Sequence, residues 1–262
     1  LPVPLPHHDA EEVARGIMTT DTVHKIHEST VAGSGARIVG VAKGVGMIEP
    51  DMATMIAMVF TDAAVDAPTL DAVFRGVVNR TLNCVSVDTD TSTSDTAVIL
   101  ASGAGGKVDS KSFENALNEV LLSLTKQIAR DGEGAQHLLR VTVREASTAV
   151  EAKRIAKAIV NSPLIKTMVH GADPNVGRIL MAVGKCTDCT VIPTSTDAWI
   201  NGFAVVKGGA RLLFDEATVR AALGAEVVDL EVALGVGTGH AQAWGCDLTK
   251  GYIDENASYY SS

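Results

Sequence analysis

The chain has 262 residues, enough for one large domain or two small ones. Hydrophobic residues make up 46% and aromatics 4%, so a sizeable core has to come from Ala, Val, Ile and Leu. A formal net charge of −9 with no basic stripe argues against a nucleic-acid partner, and with no membrane-length apolar run or visible signal peptide the expected compartment is the cytoplasm.

Leu1 to His8 form a proline-rich lead-in, and the opening at Leu1 rather than Met leads us to expect an upstream segment. Asp9-Ala10-Glu11-Glu12 has the form of a capping box and predicts a helix to about Ile17. Met18-Thr19-Thr20-Asp21-Thr22 is a polar loop, either a helix-ending turn or a binding loop. Alternation over 36–43 predicts a strand. It runs into Lys43-Gly44-Val45-Gly46-Met47-Ile48-Glu49-Pro50-Asp51-Met52-Ala53-Thr54-Met55. The glycines allow positive φ or close backbone approach, and Pro50 pushes Glu49 extended. Thr54 then opens an apolar run, expected as a strand over 54–65.

A threonine there is compatible with an ordinary strand start. It also suits a nucleophile that uses its own α-amine as base, provided that the chain is cut between Ala53 and Thr54. An α-amine titrates near ~8, well below a lysine, so a useful fraction is neutral at working pH.

Further on, Thr69 is expected to cap a helix over 70–80, and 84–88 to form a short strand. Thr89-Asp90-Thr91-Ser92-Thr93-Ser94-Asp95-Thr96 is a polar loop leading into an expected buried strand over 97–101; it lines a site or caps itself with its own hydroxyls. Ser112 opens the longest predicted helix, 113–130, with Phe113, Leu117, Val120, Leu121, Leu124 and Ile128 on one face. Asp131-Gly132-Glu133-Gly134 leaves Glu133 on a bend. A strand over 136–144 and an amphipathic helix over 147–160 follow. Asp173-Pro174-Asn175 is a turn. Further strands are expected at 191–192, 199–206 and 226–234, with a helix over 217–223. A strand over 242–248 should pair with the one before it across Gly235-Val236-Gly237-Thr238-Gly239. His170 stands alone and reads as structural. Cys186-Thr-Asp-Cys189 has no second ligand pair, so reduced structural cysteines are expected rather than zinc.

The segment from Lys43 to Met55 resembles the self-cleavage motif of the ornithine acetyltransferase (glutamate N-acetyltransferase) family. Val45 and Asp51 stand where that family usually has Ser and Asn, and neither touches the nucleophile. The resemblance continues through the 18–22 loop, the 89–96 loop, the Gly-Glu-Gly at 132–134, the Gly-Arg at 177–178 and the polar tail. It implies an α+β fold of mixed sheets with helices on their outer faces. It also implies cleavage at Ala53-Thr54, with 1–53 the C-terminal part of an α chain and 54–262 a β chain within one globular unit. The two would stay associated because a sheet passes through both, and α2β2 is the expected assembly.

The implied reaction moves acetyl from N-acetylornithine to glutamate through an acetyl-Thr54 intermediate, in arginine biosynthesis or a related pathway, with no metal and no cofactor. Thr54 is the implied catalytic residue, and Thr20, Lys43, Thr54, Glu133, Asn256 and Ser261 the implied substrate contacts. The family's oxyanion hole comes from a Thr-Gly pair upstream of these residues. Two rivals share parts of the pattern: a related self-cleaving aminopeptidase, and a non-enzymatic amino-acid-binding protein that would leave Ala53–Thr54 intact.

Overall fold

The computed structural model describes residues 7–49, 55–91 and 94–257. The chain divides into two compact units, Leu1–Asp131 and Gly132–Ser262, where the sequence reading takes one. Each is an α+β unit built on one mixed sheet. Among the described residues no helix is long and apolar enough to cross a membrane.

The first unit contains α1 (His7–Gly16), β1 (Lys25–Thr30), β2 (Arg37–Lys43), β3 (Ile56–Thr61), α2 (Ala67–Arg80), a 3-10 turn (Leu82–Cys84), β4 (Thr96–Ala101) and α3 (Ser110–Arg130). Its sheet runs in the order β1-β2-β3-β4. β1, β2 and β3 are antiparallel in turn, and β4 joins β3 in parallel. That parallel step needs a crossover, which contains α2. β2 is buried on both faces because helices lie on both. Val39 and Val41 pack with Ala10 and Ala14 of α1. On the other face Gly40 meets α3: a Cβ there would sit 2.6 Å from Val120 Cγ1 and 2.9 Å from Leu124 Cδ1. Glycine is what lets that helix close onto the strand.

Several local expectations shift. Asp66, not Thr69, caps α2, accepting the Thr69 N–H at 3.1 Å, with Pro68 in the first turn where its missing N–H costs nothing. Asp109 caps α3 through the Ser112 N–H at 2.8 Å. The expected strand over 84–88 is a 3-10 turn followed by bends, because Asp88 spends its carboxylate on the backbone of Met47 and Ile48. β4 is not buried. It is the sheet's edge strand, supported on one side by β3, and Leu100 is 53% exposed.

The second unit contains β5 (Leu138–Ala146), α4 (Ala149–Val160), α5 (Pro163–His170), α6 (Val176–Gly184), β6 (Asp197–Ile200), β7 (Phe203–Lys207), β8 (Ala210–Arg211), α7 (Glu216–Leu223), β9 (Val227–Ala233), β10 (Gly239–Cys246) and α8 (Lys250–Ala257). Strand order is β10-β5-β9-β6-β7-β8. Leu139, Val141 and Val143 of β5 meet Ile155, Ala156 and Ile159 of α4 in an aliphatic core.

Three expectations fail here. β10 pairs with β5, which lies between it and β9. The glycine run passes over the end of β5 rather than turning a hairpin: a Cβ on Gly237 would sit 2.5 Å from Ala146 O, and one on Gly239 2.3 Å from Thr148 C. The strand expected over 199–206 is a hairpin of β6 and β7, broken at Asn201 (φ 44°) and Gly202 (φ 80°), the pair that a tight hairpin turn favours. Val191-Ile192 is not a strand but enters a short 3-10 turn, Pro193–Ser195.

Candidate active site

Lys43 ends β2 and is 8% exposed. Gly44 follows with φ +141°, a conformation that L side chains rarely adopt, and a Cβ there would also lie 2.9 Å from Ile48 Cδ1. The Gly44 N–H donates to Asp21 Oδ1 at 2.8 Å. Asp21 also accepts the Thr19 N–H at 3.2 Å and Lys25 Nζ at 2.6 Å. Lys25, fully buried, reaches Asp131 Oδ2 at 2.6 Å with its other side. Asp131 in turn accepts the N–H and the hydroxyl of Thr22.

Burial alone would raise the Asp21 carboxyl, but the Gly44 N–H and Lys25 outweigh it and hold it below the usual carboxylate range. The result is a buried Asp-Lys-Asp triad beneath the 18–24 loop. It fixes both neighbours of Thr20 while Thr20 itself stays exposed. The same Asp21 fixes the turn directly after Lys43.

The polar loop that begins at Asp88 holds the chain on both sides of residues 50–54. Before them, Asp88 takes the N–H groups of Met47 (2.7 Å) and Ile48 (2.9 Å). The Glu49 N–H donates to Asp90 O at 3.1 Å, and the Val87 N–H to Ile48 O at 2.7 Å. After them, Asp95 Oδ1 takes the Met55 N–H at 2.6 Å, and the Thr96 N–H donates to Met55 O at 3.0 Å. Met47 (φ 52°) and Thr89 (φ 72°) are non-glycine residues held at positive φ, strain of a kind that gathers at functional sites.

Met55, Phe74, Asn83, Asp95 and Thr96 line a cleft of about 440 Å³ in this unit. Burial pushes the Asp95 carboxyl up to about 6, against the Met55 N–H and the Lys43 charge, which pull it down. Asp95 Oδ2 is buried and has no hydrogen-bond partner among the described residues. Ala53, Thr54 and Ser261, singled out from the sequence, lie outside the described residues.

In the second unit Glu133 and Asn256 come together: Asn256 Nδ2 donates to Glu133 Oε2 at 2.7 Å and to Tyr252 O at 2.9 Å. Gly134 makes this possible. At φ +66°, a Cβ on it would meet Tyr252 N at 2.4 Å, so α8 starts directly against the bend that bears Glu133. Thr249 clamps the joint, donating to Gly134 O at 2.7 Å and accepting the Gly251 N–H at 2.9 Å.

His170 Nδ1 lies 3.3 Å from Asp247 Oδ2. Asp247 is buried and also takes the N–H groups of Gln136 and His137 at 2.8 and 2.9 Å, which makes the histidine part of a structural clamp. Cys186 and Cys189 are thiols, and burial pushes both up, away from reactivity.

Reading the sequence missed Lys25, Asp131 and the individual role of Asp95. Lys25 sits in a strand, where a lysine normally marks an exposed face, and its partner Asp131 is 106 residues away, so the sequence offers no local signal. Asp95 belonged to a loop identified as polar, but which of its carboxylates would be buried depends on β3.

A profile of the ArgJ family matches residues 3–261. The arginine biosynthesis bifunctional protein ArgJ 2 of Nostoc sp. is 50% identical over 96% of this chain and 64% of its own length. The glutamate N-acetyltransferase Oat2 of Streptomyces clavuligerus is 48% identical over 95% of this chain and 64% of its own. A crystal structure of the arginine biosynthesis bifunctional protein argJ from Bacillus halodurans matches with a TM-score of 0.73 and 39% identity, covering 76% of this chain and 96% of the crystal chain. The chain thus spans a little under two thirds of the curated relatives it matches. With the family profile covering nearly every residue, the chain belongs to the ArgJ family.

Proposed function

We propose that the protein is a glutamate N-acetyltransferase of arginine biosynthesis that cuts its own chain at Ala53–Thr54 and then carries acetyl on Thr54. The observation that carries this reading is the grip of one polar loop on both flanks of residues 50–54, through Asp88 before them and Asp95 after them. Such a hold fixes the chain where it enters and where it leaves that segment, and intramolecular attack depends on fixed geometry of this kind.

In the cleavage step Thr54 Oγ attacks the Ala53 carbonyl. The C–N bond breaks, an Ala53 ester forms on Oγ, and the nitrogen leaves as the Thr54 α-amine. Water then releases the Ala53 carboxylate. β2 and β3 stay joined through six registered pairs, from Ile38↔Thr61 to Lys43↔Ile56, so the pieces on either side of the cut share a sheet.

In transfer, Thr54 Oγ attacks the acetyl carbonyl of N-acetylornithine. The amine takes the hydroxyl proton and returns it to the departing ornithine nitrogen. Glutamate reverses the path and leaves acetylated. Lys43 and the Thr20 and Ser261 hydroxyls suit a substrate carboxylate. Glu133, steadied by Asn256, suits a substrate ammonium. The assembly inferred is α2β2, and a cytoplasmic location fits substrates that are free amino acids.

The test is intact mass of the full-length protein under denaturing conditions, followed by acetyl transfer. Two species, one beginning at Thr54, together with acetylglutamate formed from N-acetylornithine, are the expected result, and Thr54→Ala should lose both. A chain that remains single after long incubation would defeat the reading. Peptide hydrolysis without transfer would assign the chain to aminopeptidase chemistry instead.

A further inference from the structure

Four strands among the described residues end a sheet, β1, β4, β8 and β10, and three of them are blunted against further pairing. β1 carries His27 and Glu28, β8 is two residues long with Arg211 as one of them, and β10 is broken by a bulge between Gly239 and Ala241. β4 has none of these devices. Thr96-Ala97-Val98-Ile99-Leu100-Ala101 carries no charge, no proline and no glycine, and its register with β3 is unbroken. A formal net charge of −9 opposes self-association at most of the surface, but this edge brings no like charges together.

The groups that this edge leaves free follow from those it uses. The Thr96 N–H donates to Met55 O at 3.0 Å, and the Ser102 N–H to Thr61 O at 2.9 Å. Backbone groups alternate in direction along a strand, so those of 96, 98, 100 and 102 face β3, and the N–H and C=O groups of Ala97, Ile99 and Ala101 point the other way. That set is symmetric about Ile99. A second β4, antiparallel and related by a two-fold axis at Ile99, sets Ile99 against Ile99 and Ala97 against Ala101. Each such pair exchanges both of its hydrogen bonds, and no other two-fold register uses all three residues. Between them fall the closer, non-bonded pairs, where Leu100, 53% exposed in one copy alone, meets Val98 of the second copy. The flanking carboxylates, one Asp95 from each copy, are carried to opposite ends of the shared ladder.

We propose that β4 is the contact between two copies of this chain: the two β4 strands pair antiparallel about Ile99 and join the four-stranded sheets of the two first units into one. The inference rests on the two-copy α2β2 assembly inferred above and names its interface. It does not depend on the cut at Ala53–Thr54.

The test is sedimentation of the full-length protein. Wild type should have the mass of two copies. Ile99→Pro removes the outward N–H at the centre of the ladder and none of the bonds to β3, as proline on an edge strand can, and the native mass should fall twofold. Hydrogen exchange supplies a second reading. In wild type the amides of Ala97, Ile99 and Ala101 should be as slow as those of Val98 and Leu100, and in the variant Ala97 and Ala101 should exchange at least about tenfold faster. A two-copy mass that Ile99→Pro leaves unchanged overturns the interface and leaves the assembly standing. A wild type of one-copy mass overturns both, and slow exchange at those amides in such a protein would mean that another part of its own chain covers the edge.

Should Ile99→Pro fail to fold, Leu100→Lys changes a side chain that is already exposed and sets two lysines diagonally across the ladder, so the same halving of mass is expected. Unchanged mass in that variant would overturn the interface equally. Denaturing mass and acetyl transfer, measured on the same wild-type sample, score the cleavage and transfer reading separately from the assembly.

Discussion

In the first unit Lys25 lies fully buried between two carboxylates, 2.6 Å from each. In the second unit the centre, between β5 and α4, is aliphatic throughout, and the buried charges there are spent mainly on backbone, with His170 as a side-chain neighbour of Asp247. Lys166 donates to Cys246 O at 2.5 Å, and Asp247 gathers the N–H groups of Gln136 and His137. The first arrangement pairs charge with charge, and the second caps strand ends. Pairing charges in the interior costs more desolvation than an apolar core would. It is found beneath the loop that bears Thr20 and the turn after Lys43, where fixed backbone geometry has a use.

The difference is open to breakage. Lys25→Ala should have the largest effect, about 3–5 kcal/mol in urea unfolding, because it leaves Asp21 and Asp131 buried and unpaired. Hydrogen exchange should show the loss of protection in β1, β2 and α3, while β5 and α4 keep theirs. In the second unit Ile155→Ala leaves a cavity and no stranded charge, and about 2–4 kcal/mol is expected there. If Lys25→Ala proved milder than Ile155→Ala, water would have to reach the triad, and the contrast between the units would weaken.

The two acidic groups that bracket the candidate site should also respond to pH in opposite directions. In an uncut Thr54→Ala chain, burial holds the folded Asp95 carboxyl at about 6, above the ordinary aspartate value of 3.8. Its contribution is greatest below 3.8 and is lost as pH rises through 6. Asp21, whose pKa is lowered on folding, contributes above 3.8 and loses that contribution as pH falls. Adding Asp95→Asn to the Thr54→Ala chain should therefore raise stability at pH 7–8 by about 1 kcal/mol, discounted for the partial exposure of the group, and the gain should vanish near pH 4. Denaturant midpoints at the two pH values check this. A gain that persists at pH 4 would show that the carboxyl is not charged against its will.

These contrasts also explain what could be read in advance. The stripe from Phe113 to Ile128 is periodic, so the sequence carries it directly, and β2 is legible as a short apolar run, buried on both faces rather than alternating. Glu133 and Asn256 were reached by resemblance, and the structure places them in contact. Asn201-Gly202 is a hairpin signal in the sequence, but the apolar residues on both sides make 199–206 resemble one continuous strand. The order β10-β5-β9 was not legible: it depends on which backbone the glycines of 235–239 can approach. Nor was the triad, since a lysine and two aspartates announce burial only when strands far apart in sequence have met.

The smallest effect is the sharpest control. Arg75 and Asp71 form an ion pair at 2.8 Å, almost the same length as the Lys25 pairs, but with side chains 78% and 60% exposed. In water the two charges are well solvated apart, and holding them together costs side-chain freedom. Arg75→Ala should therefore move the melting temperature by less than about 1 °C, while Lys25→Ala moves it by several. Equal shifts would mean that contact between opposite charges, wherever it occurs, sets the stability of this unit. Unequal shifts would locate the effect in burial: Asp21 and Asp131 need Lys25 because water does not reach them, and the loop and turn they hold depend on that need.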